Sequence, residues 1–151
     1  ISQIKKQFTP IMISCFAGVI IGMSSCLLIA ILFTQETDIL LSLMPKSVTS
    51  PIAMAIAYQV GGLPSLAAAV VIAVGLLGAL TGFSVLKICK ITNEQAQGLA
   101  MGCSAHAIGT AKAIEVGTEQ GAFSSLALVI SGILTAILAP LFAWLIHVFL
   151  L

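Results

Sequence analysis

The sequence predicts an all-α polytopic membrane protein, and three observations support this fold class. Of the 151 residues, 60% are hydrophobic and only 7% are charged, with a mean hydropathy of +1.20. Because a soluble domain has about a quarter charged residues, this chain lacks the side chains that cover a globule. The stretches 10–33 and 63–86 carry no charge, and 124–149 carries only His147. Each exceeds the roughly 20 residues that cross a bilayer.

The chain is interpreted as one membrane domain with five segments. Transmembrane helices are predicted over 10–34, 63–87 and 122–149, and two interrupted helical segments lie between them, over 36–62 and 92–121. In each interrupted segment a polar break separates two short apolar pieces. Ten helical residues cover about 15 Å, half of a roughly 30 Å hydrocarbon core. Each segment is therefore either one broken crossing or a re-entrant hairpin that enters the membrane and returns.

The placement of the lysines favours the hairpin. Lys5 and Lys6 precede the first span, and Lys87 and Lys90 follow the second. If both pairs are cytoplasmic, the segment 36–62 starts and ends on the outer side, and the second hairpin enters from the cytoplasm. Both segments share the order polar break, short helix, glycine turn and long span, which predicts an inverted repeat. In secondary transporters such segments meet at a substrate site near the membrane midplane.

The first break reads PKSVTSP over 45–51. Ser50 is predicted as the N-cap of the next helix, with Pro51 at its first position. A helix N-terminus inside the membrane presents free N–H groups and a positive dipole end, which suit a carboxylate. The substrate-binding residues predicted here are Lys46, Ser47, Thr49 and Ser50. The alternative is a surface loop that keeps Lys46 in water.

The second break reads GCSAHAIGTAKAIE over 102–115. Because ionisable residues at membrane depth are functional candidates, the predicted substrate-binding residues are Ser104, His106, Thr110 and Lys112. Glu115 is the candidate for proton coupling or for holding Lys112. Alternatives stay open: an i,i+3 ion pair of Lys112 and Glu115 at the water boundary, and a structural hydrogen bond at His106.

Two further caps are predicted around the second break. Thr110 is predicted to cap the helical piece that follows it. The run Thr92-Asn93-Glu94-Gln95 fits a capping box, with Thr92 at the N-cap and Gln95 three positions later.

Other functional classes are disfavoured. The net charge is +1 and no arginine is present, which argues against nucleic-acid binding. Ser104 and His106 lack the context of a nucleophile elbow, and no zinc-protease or phosphate-loop pattern occurs. No catalytic residue, metal ligand or cofactor is therefore predicted. The four cysteines show no CxxC spacing and are interpreted as small apolar packing residues rather than as disulfides or zinc ligands.

The runs PKSVTSPIAMAIAYQVGGLPSL and GLAMGCSAHAIGTAKAIEVGTEQGAFSSLALVISGILTAILAP closely resemble the LrgB/CidB family of membrane proteins, and the likeness covers essentially the whole chain. Family members usually have additional N-terminal transmembrane helices. Together with the missing initiator Met, this predicts the C-terminal part of a longer chain.

The resemblance implies one of two functions. The first is antiholin-like control of murein hydrolase activity and cell lysis beside a small LrgA/CidA-type membrane partner. The second is transport of pyruvate, as in some bacterial members, or of glycolate and glycerate, as in a plastid relative.

The residues themselves favour transport. Paired membrane breaks rich in hydroxyls and lysines suit a small hydroxy- or oxo-carboxylate, whereas a pore-forming protein needs no inverted pair. We therefore expect a secondary transporter of small monocarboxylates, with proton coupling as an option, in the bacterial inner membrane. The expected partners are the organic acid and other copies of the chain. The alternative is the antiholin-like regulator acting through its small partner.

Overall fold

The computed structural model describes residues 8–150, with side chains through residue 148. Lys5 and Lys6, which the orientation argument uses, lie outside the described residues. Within the described part all regular structure is helical: α1 (Phe8–Ile31), α2 (Thr37–Leu43), α3 (Ser50–Val60), α4 (Pro64–Ile88), α5 (Glu94–Val116) and α6 (Thr118–Leu150). The helices α1, α4 and α6 are long and apolar enough to cross a membrane. The predicted all-α membrane fold with three long spans is confirmed.

The long helices α1 and α6 run in the same direction. Ile11 and Cys15, near the start of α1, share a buried cluster with Phe123 and Ala127, near the start of α6. The later parts of the two helices meet in a second cluster, formed by Val19, Met23, Leu27, Ala139, Ala143 and Ile146 among others. This parallel register places the starts of α1 and α6 at the same end of the molecule.

Residues 36–62 form a helical hairpin, here called the first hairpin, from α2, a turn over 44–49, and α3. Its end returns to its start, because the Leu63 amide donates to Ser42 Oγ at 2.6 Å. The Ser42 hydroxyl in turn donates to the Asp38 carbonyl at 2.5 Å. A Cβ added to Gly62 would lie only 2.9 Å from the Ser42 amide nitrogen, so the two ends are in direct contact.

The predicted cap of α3 is wrong by one residue. Thr49 has extended backbone geometry, and its carbonyl accepts the first helical hydrogen bond from Ala53 at 2.9 Å. Thr49 is therefore the N-cap, and Ser50 and Pro51 are the first two helical residues. Proline is compatible with either early position, because the first N–H groups of a helix have no internal partner.

The helix α5 also folds back, and its two arms form the second hairpin. His106 has φ +40° and ψ −131°, which separates a first arm (94–105) from a second arm (107–116). Gly109 lies close to the Met101 carbonyl, because a Cβ at position 109 would be 3.1 Å from it. A straight helix separates residues 101 and 109 by about 12 Å. The side chains of Gln95 and Glu119, 3.1 Å apart, join the start of the first arm to the segment after the second.

Two caps predicted around the second hairpin are also wrong. Asn93, not Thr92, caps the first arm, and its side chain accepts from the Ala96 amide at 2.9 Å. Thr110 lies inside the second arm because the break occurs four residues earlier, at His106. Sequence rules place a break at glycine or proline, whereas here a histidine has the left-handed geometry.

Glycines allow the second hairpin to pack closely on its neighbours. A Cβ at Gly102 would collide with the Ser124 carbonyl of α6, and one at Gly78 would collide with Ala105. Helix pairs in membranes gain stability from such close backbone contact, because lipid gives them no hydrophobic driving force. The first arm of α5 is thus held between α4 and α6.

We expect Gly102→Ala to lower the free energy of unfolding by about 1–3 kcal/mol, because the methyl group has no space against the α6 backbone. Gly22→Ala is the matched control, since a Cβ there would meet nothing closer than Ser47 Oγ at 3.8 Å. Thermal unfolding of the full-length protein in detergent measures both. Equal stability of the two variants would contradict the close packing.

The two hairpins predict a pattern of accessibility across the membrane. Cysteines placed at Gln35 and Ser65, in a background without the native cysteines, are expected to react with an impermeant maleimide from one side. Lys90→Cys and Thr118→Cys are expected to react from the opposite side. These four positions are exposed and flank the two hairpins. Labelling of Gln35→Cys and Ser65→Cys from opposite sides would mean that residues 36–62 cross the membrane.

Candidate functional site

A partly open cavity of about 500 Å³ lies between α1, the turn of the first hairpin and the first arm of the second. Residues from both polar breaks line it, together with small residues of α1; the wall includes Gly18, Gly22, Lys46, Ser47, Cys103 and Ser104. The two interrupted segments therefore contribute to one cavity, although Lys46 and Gly102, where the second break begins, are 56 positions apart in the chain.

Lys46 is the cation of this cavity. It is half-buried, and its Nζ donates to the neighbouring Ser47 Oγ at 2.9 Å. Within the described residues the one ion pair joins Lys112 and Glu115, so Lys46 has no carboxylate partner there. A partly desolvated cation without an internal counter-charge is costly to the fold, and an anion entering the cavity would compensate it.

The turn of the first hairpin lies beside the middle of α1. Ser47 Oγ is 3.8 Å from the position that a Cβ on Gly22 would occupy, and Gly22 is near the centre of the 24-residue α1. Since α1 is long enough to span the membrane, Lys46 and Ser47 lie roughly level with its midpoint rather than with its ends.

His106 forms the tip of the second hairpin and is 1% exposed. Its Nε2 has no hydrogen-bond partner, and its ring lies against Gly75, where a Cβ would be 2.7 Å from Cε1. Gly75 is near the middle of the 25-residue α4, so this tip also lies level with the centre of a span. His106 follows Ser104 of the cavity wall by two residues, although it does not itself line the cavity.

Two unfavourable features coincide at His106. A left-handed backbone costs a non-glycine residue about 1–3 kcal/mol, and an unpaired buried nitrogen adds a cost of similar size. Such costs persist where the surrounding structure imposes them, and they cluster at functional sites. His106 therefore remains a functional candidate because of its backbone geometry and its unpaired nitrogen, neither of which is visible in the sequence.

The remaining predicted residues do not line the cavity. Thr49 and Ser50 are half-buried at the start of α3. Thr110 is buried, and its hydroxyl lies 2.8 Å from Ser124 Oγ, which joins the second arm to α6. Lys112 and Glu115 form an ion pair of 2.8 Å, with side chains 44% and 67% exposed. Of the nine predicted residues, the structure thus brings Lys46, Ser47 and Ser104 together, with His106 nearby.

Sequence reasoning missed the contribution of α1 and of Cys103. The spacing of Gly18 and Gly22 indicates close packing, but nothing in that spacing indicates that Ser47 and Cys103 are the groups they contact. Cys103 lies within the second break and was interpreted only as a packing residue.

These features define the class: a polytopic helical membrane protein in which two helical hairpins meet at a cavity lined by a lysine. The chain belongs to the LrgB-like family, whose profile matches residues 1–145. The resemblance inferred from the two polar breaks is confirmed.

The chain is 37% identical to "Uncharacterized protein YxaC" of Bacillus subtilis, over 96% of this chain and 63% of that relative. It is 35% identical to an "Uncharacterized protein" of Haemophilus influenzae, over 97% and 64% of the two chains. It is 30% identical to "Holin-like protein CidB" of Staphylococcus aureus, over 91% and 60%. The chain thus spans less than two thirds of the length of these relatives. No solved structure matches it significantly.

At position 106 we expect glycine to be preferred over alanine, which is the reverse of their order inside an ordinary helix. We expect His106→Gly to be about 1–2 kcal/mol more stable than His106→Ala, because only glycine adopts the left-handed geometry without strain. Ala107→Gly, one residue on and helical, is the control and is expected to lose about 1 kcal/mol. Thermal unfolding in detergent measures all three. If alanine were the more stable residue at position 106, α5 would continue through His106 as an ordinary helix.

Proposed function

We propose that this chain belongs to an antiholin-like regulator of murein hydrolase activity and cell lysis, acting in the bacterial inner membrane through a small LrgA/CidA-type partner. The similarity to "Holin-like protein CidB" over 91% of the chain carries this proposal. Membership of the LrgB-like family adds support. The comparisons favour this function, the alternative of the sequence analysis, over transport.

The outer surface of the helices is compatible with a membrane partner. Leu76, Leu77 and Leu80 of α4 are exposed, as are Ile21 and Leu28 of α1. In a bilayer such apolar faces contact lipid or the helices of another protein. A small membrane protein has helical surfaces of the same chemistry, so it can bind there without the burial of charge.

Deletion of the gene in its own bacterium is expected to raise murein hydrolase activity and lysis, because an antiholin-like protein restrains both. Zymography of cell fractions and the turbidity of stationary cultures measure the effect. The full-length gene restores the restraint, and we expect this rescue to disappear when the small partner is deleted as well. Unchanged hydrolase activity and lysis after the first deletion would contradict the proposal.

A second candidate, transport of small monocarboxylates, is favoured by one observation: Lys46 has no carboxylate partner within the described residues and lies in the cavity of about 500 Å³. The volume falls within the usual range of small-molecule sites, about 300–1,000 Å³. In this scheme the substrate carboxylate pairs with Lys46 Nζ, and the hydroxyls of Ser47 and Ser104 bind its oxo or hydroxy group.

The two hairpins are compatible with alternating access, the mechanism that transport would require. Two hairpins that enter from opposite sides and meet near the midplane allow the site to open alternately to each side. The inverted repeat and the membrane depth of the tips stay predictions, as does proton coupling at Glu115, which is ion-paired and exposed. His106 is the buried ionisable side chain next to the site.

Uptake of labelled pyruvate and glycolate into proteoliposomes tests the transport candidate with the full-length protein. We expect Lys46→Gln to reduce uptake at least tenfold, equivalent to about 1.4 kcal/mol, because the substrate carboxylate loses its counter-charge. Lys87→Gln and Lys112→Gln are expected to change it less than twofold, since both lysines lie outside the cavity wall. An equal loss in all three variants would contradict the site. Absence of uptake by the wild-type protein, alone or with its small partner, would exclude transport.

A further inference from the structure

A pair of thiols joins α1 to the second hairpin at the wall of the cavity. Cys103, on the first arm of α5, lines the cavity, and its Sγ is 3.6 Å from the position of a Cβ on Gly18 of α1. Cys15 precedes Gly18 by about one helical turn. Cys15 and Cys103 are free cysteines that pack in the same buried cluster.

The surroundings of the two thiols differ in access. Cys103 is half-buried beside the cavity, whereas Cys15 is 0% exposed. Ser131 of α6 donates its hydroxyl to Cys103 Sγ at 3.2 Å, and Lys46 lines the same cavity. An oxidant in the cavity reaches Cys103 before Cys15, because Cys15 has no exposed surface. The geometry therefore gives Cys103 the attacking role and Cys15 the role of the thiol that resolves the product.

We propose that Cys103 and Cys15 form a reversible disulfide that ties α1 to α5 when the cavity admits a small hydroperoxide. This inference does not depend on which of the two functions the protein has. It assigns a redox modification site to residues that sequence reasoning interpreted as packing.

The disulfide forms in two steps. Cys103 sulfur attacks the terminal peroxide oxygen, the O–O bond breaks, and the thiol proton leaves with the alcohol or water that is released. Sulfur has then lost two electrons to the hydroperoxide and carries a sulfenic acid. Cys15 sulfur attacks this sulfur, the S–S bond forms, the S–O bond breaks, and water leaves with the Cys15 proton. A dithiol reductant reverses the bond through a mixed disulfide.

The bond would restrict the part of the molecule that forms the candidate site. Cys103 lies three residues before the tip at His106, and the first arm carries Ser104 on the cavity wall. A covalent tie to α1 prevents this arm from moving along α1. The disulfide would therefore hold the cavity in one shape, whatever the cavity does.

The remaining cysteines provide matched controls. Cys26 lies on the same helix as Cys15, and its thiol donates to the Leu43 carbonyl at 3.5 Å. Cys89 is exposed at the end of α4. Cys89 thus has greater access to solvent than either member of the pair, and a reaction governed by access alone would select it first.

The test treats native membranes containing the full-length protein with hydrogen peroxide, blocks free thiols with a maleimide, and maps the peptides by mass spectrometry. We expect the loss of two of this chain's four thiols and a linked peptide that joins Cys15 to Cys103. Dithiothreitol should restore both thiols. The Cys26→Ser and Cys89→Ser variants should still form the link.

Single variants of the pair separate the two steps. Cys15→Ser should stop at a sulfenic acid on Cys103, which a dimedone probe captures. Cys103→Ser should leave the Cys15 thiol free after peroxide. Free thiols at both positions in the treated wild-type protein would overturn the proposal, as would a link that joins either of them only to Cys89 or to a second molecule. The wild-type map alone is decisive, so the result stands even if a variant fails to fold.

Discussion

The main constraint on this structure is that backbone N–H and C=O groups inside a membrane must find partners within the protein. A helix that breaks between the spans leaves several such groups without their usual bonds, so the breaks must be covered. Both tips meet this requirement by lying against the centres of long helices, Ser47 beside Gly22 of α1 and His106 beside Gly75 of α4. At the predicted membrane depth of the tips, the spans would shield both irregular segments from lipid, and Gly75 provides the space for His106.

This constraint explains which parts of the fold the sequence predicts. Length and hydropathy reveal three spans, because the bilayer sets both quantities. The two interrupted segments are visible as polar residues and prolines within apolar surroundings. The direction of each hairpin is inferred from four lysines and stays a prediction. Gly82, Gly78 and Gly75 of α4 meet Met101, Ala105 and His106 in antiparallel order, so the first arm of α5 runs back along α4.

The details of the candidate site were harder to predict, for reasons that specific residues illustrate. A capping rule ranks residue types, but adjacent candidates such as Thr49 and Ser50, or Thr92 and Asn93, have similar capping preferences. The packing of the surrounding helices then decides which of the two is the cap. The break at His106 has no glycine or proline to mark it. Lys112 was favoured because of its charge, yet its exposed ion pair with Glu115 leaves it outside the cavity wall. The contribution of α1 arises only from the contacts between helices, which no local pattern contains.

The row of glycines on α4 has a mechanical consequence. Gly75, Gly78 and Gly82 leave space on α4 that the side chains of His106, Ala105 and Met101 fill. By contrast, the Gln95–Glu119 and Thr110–Ser124 bonds fasten both arms of α5 to α6. The contact of α5 with α4 therefore depends on steric fit at three glycines, whereas its contact with α6 also includes side-chain hydrogen bonds.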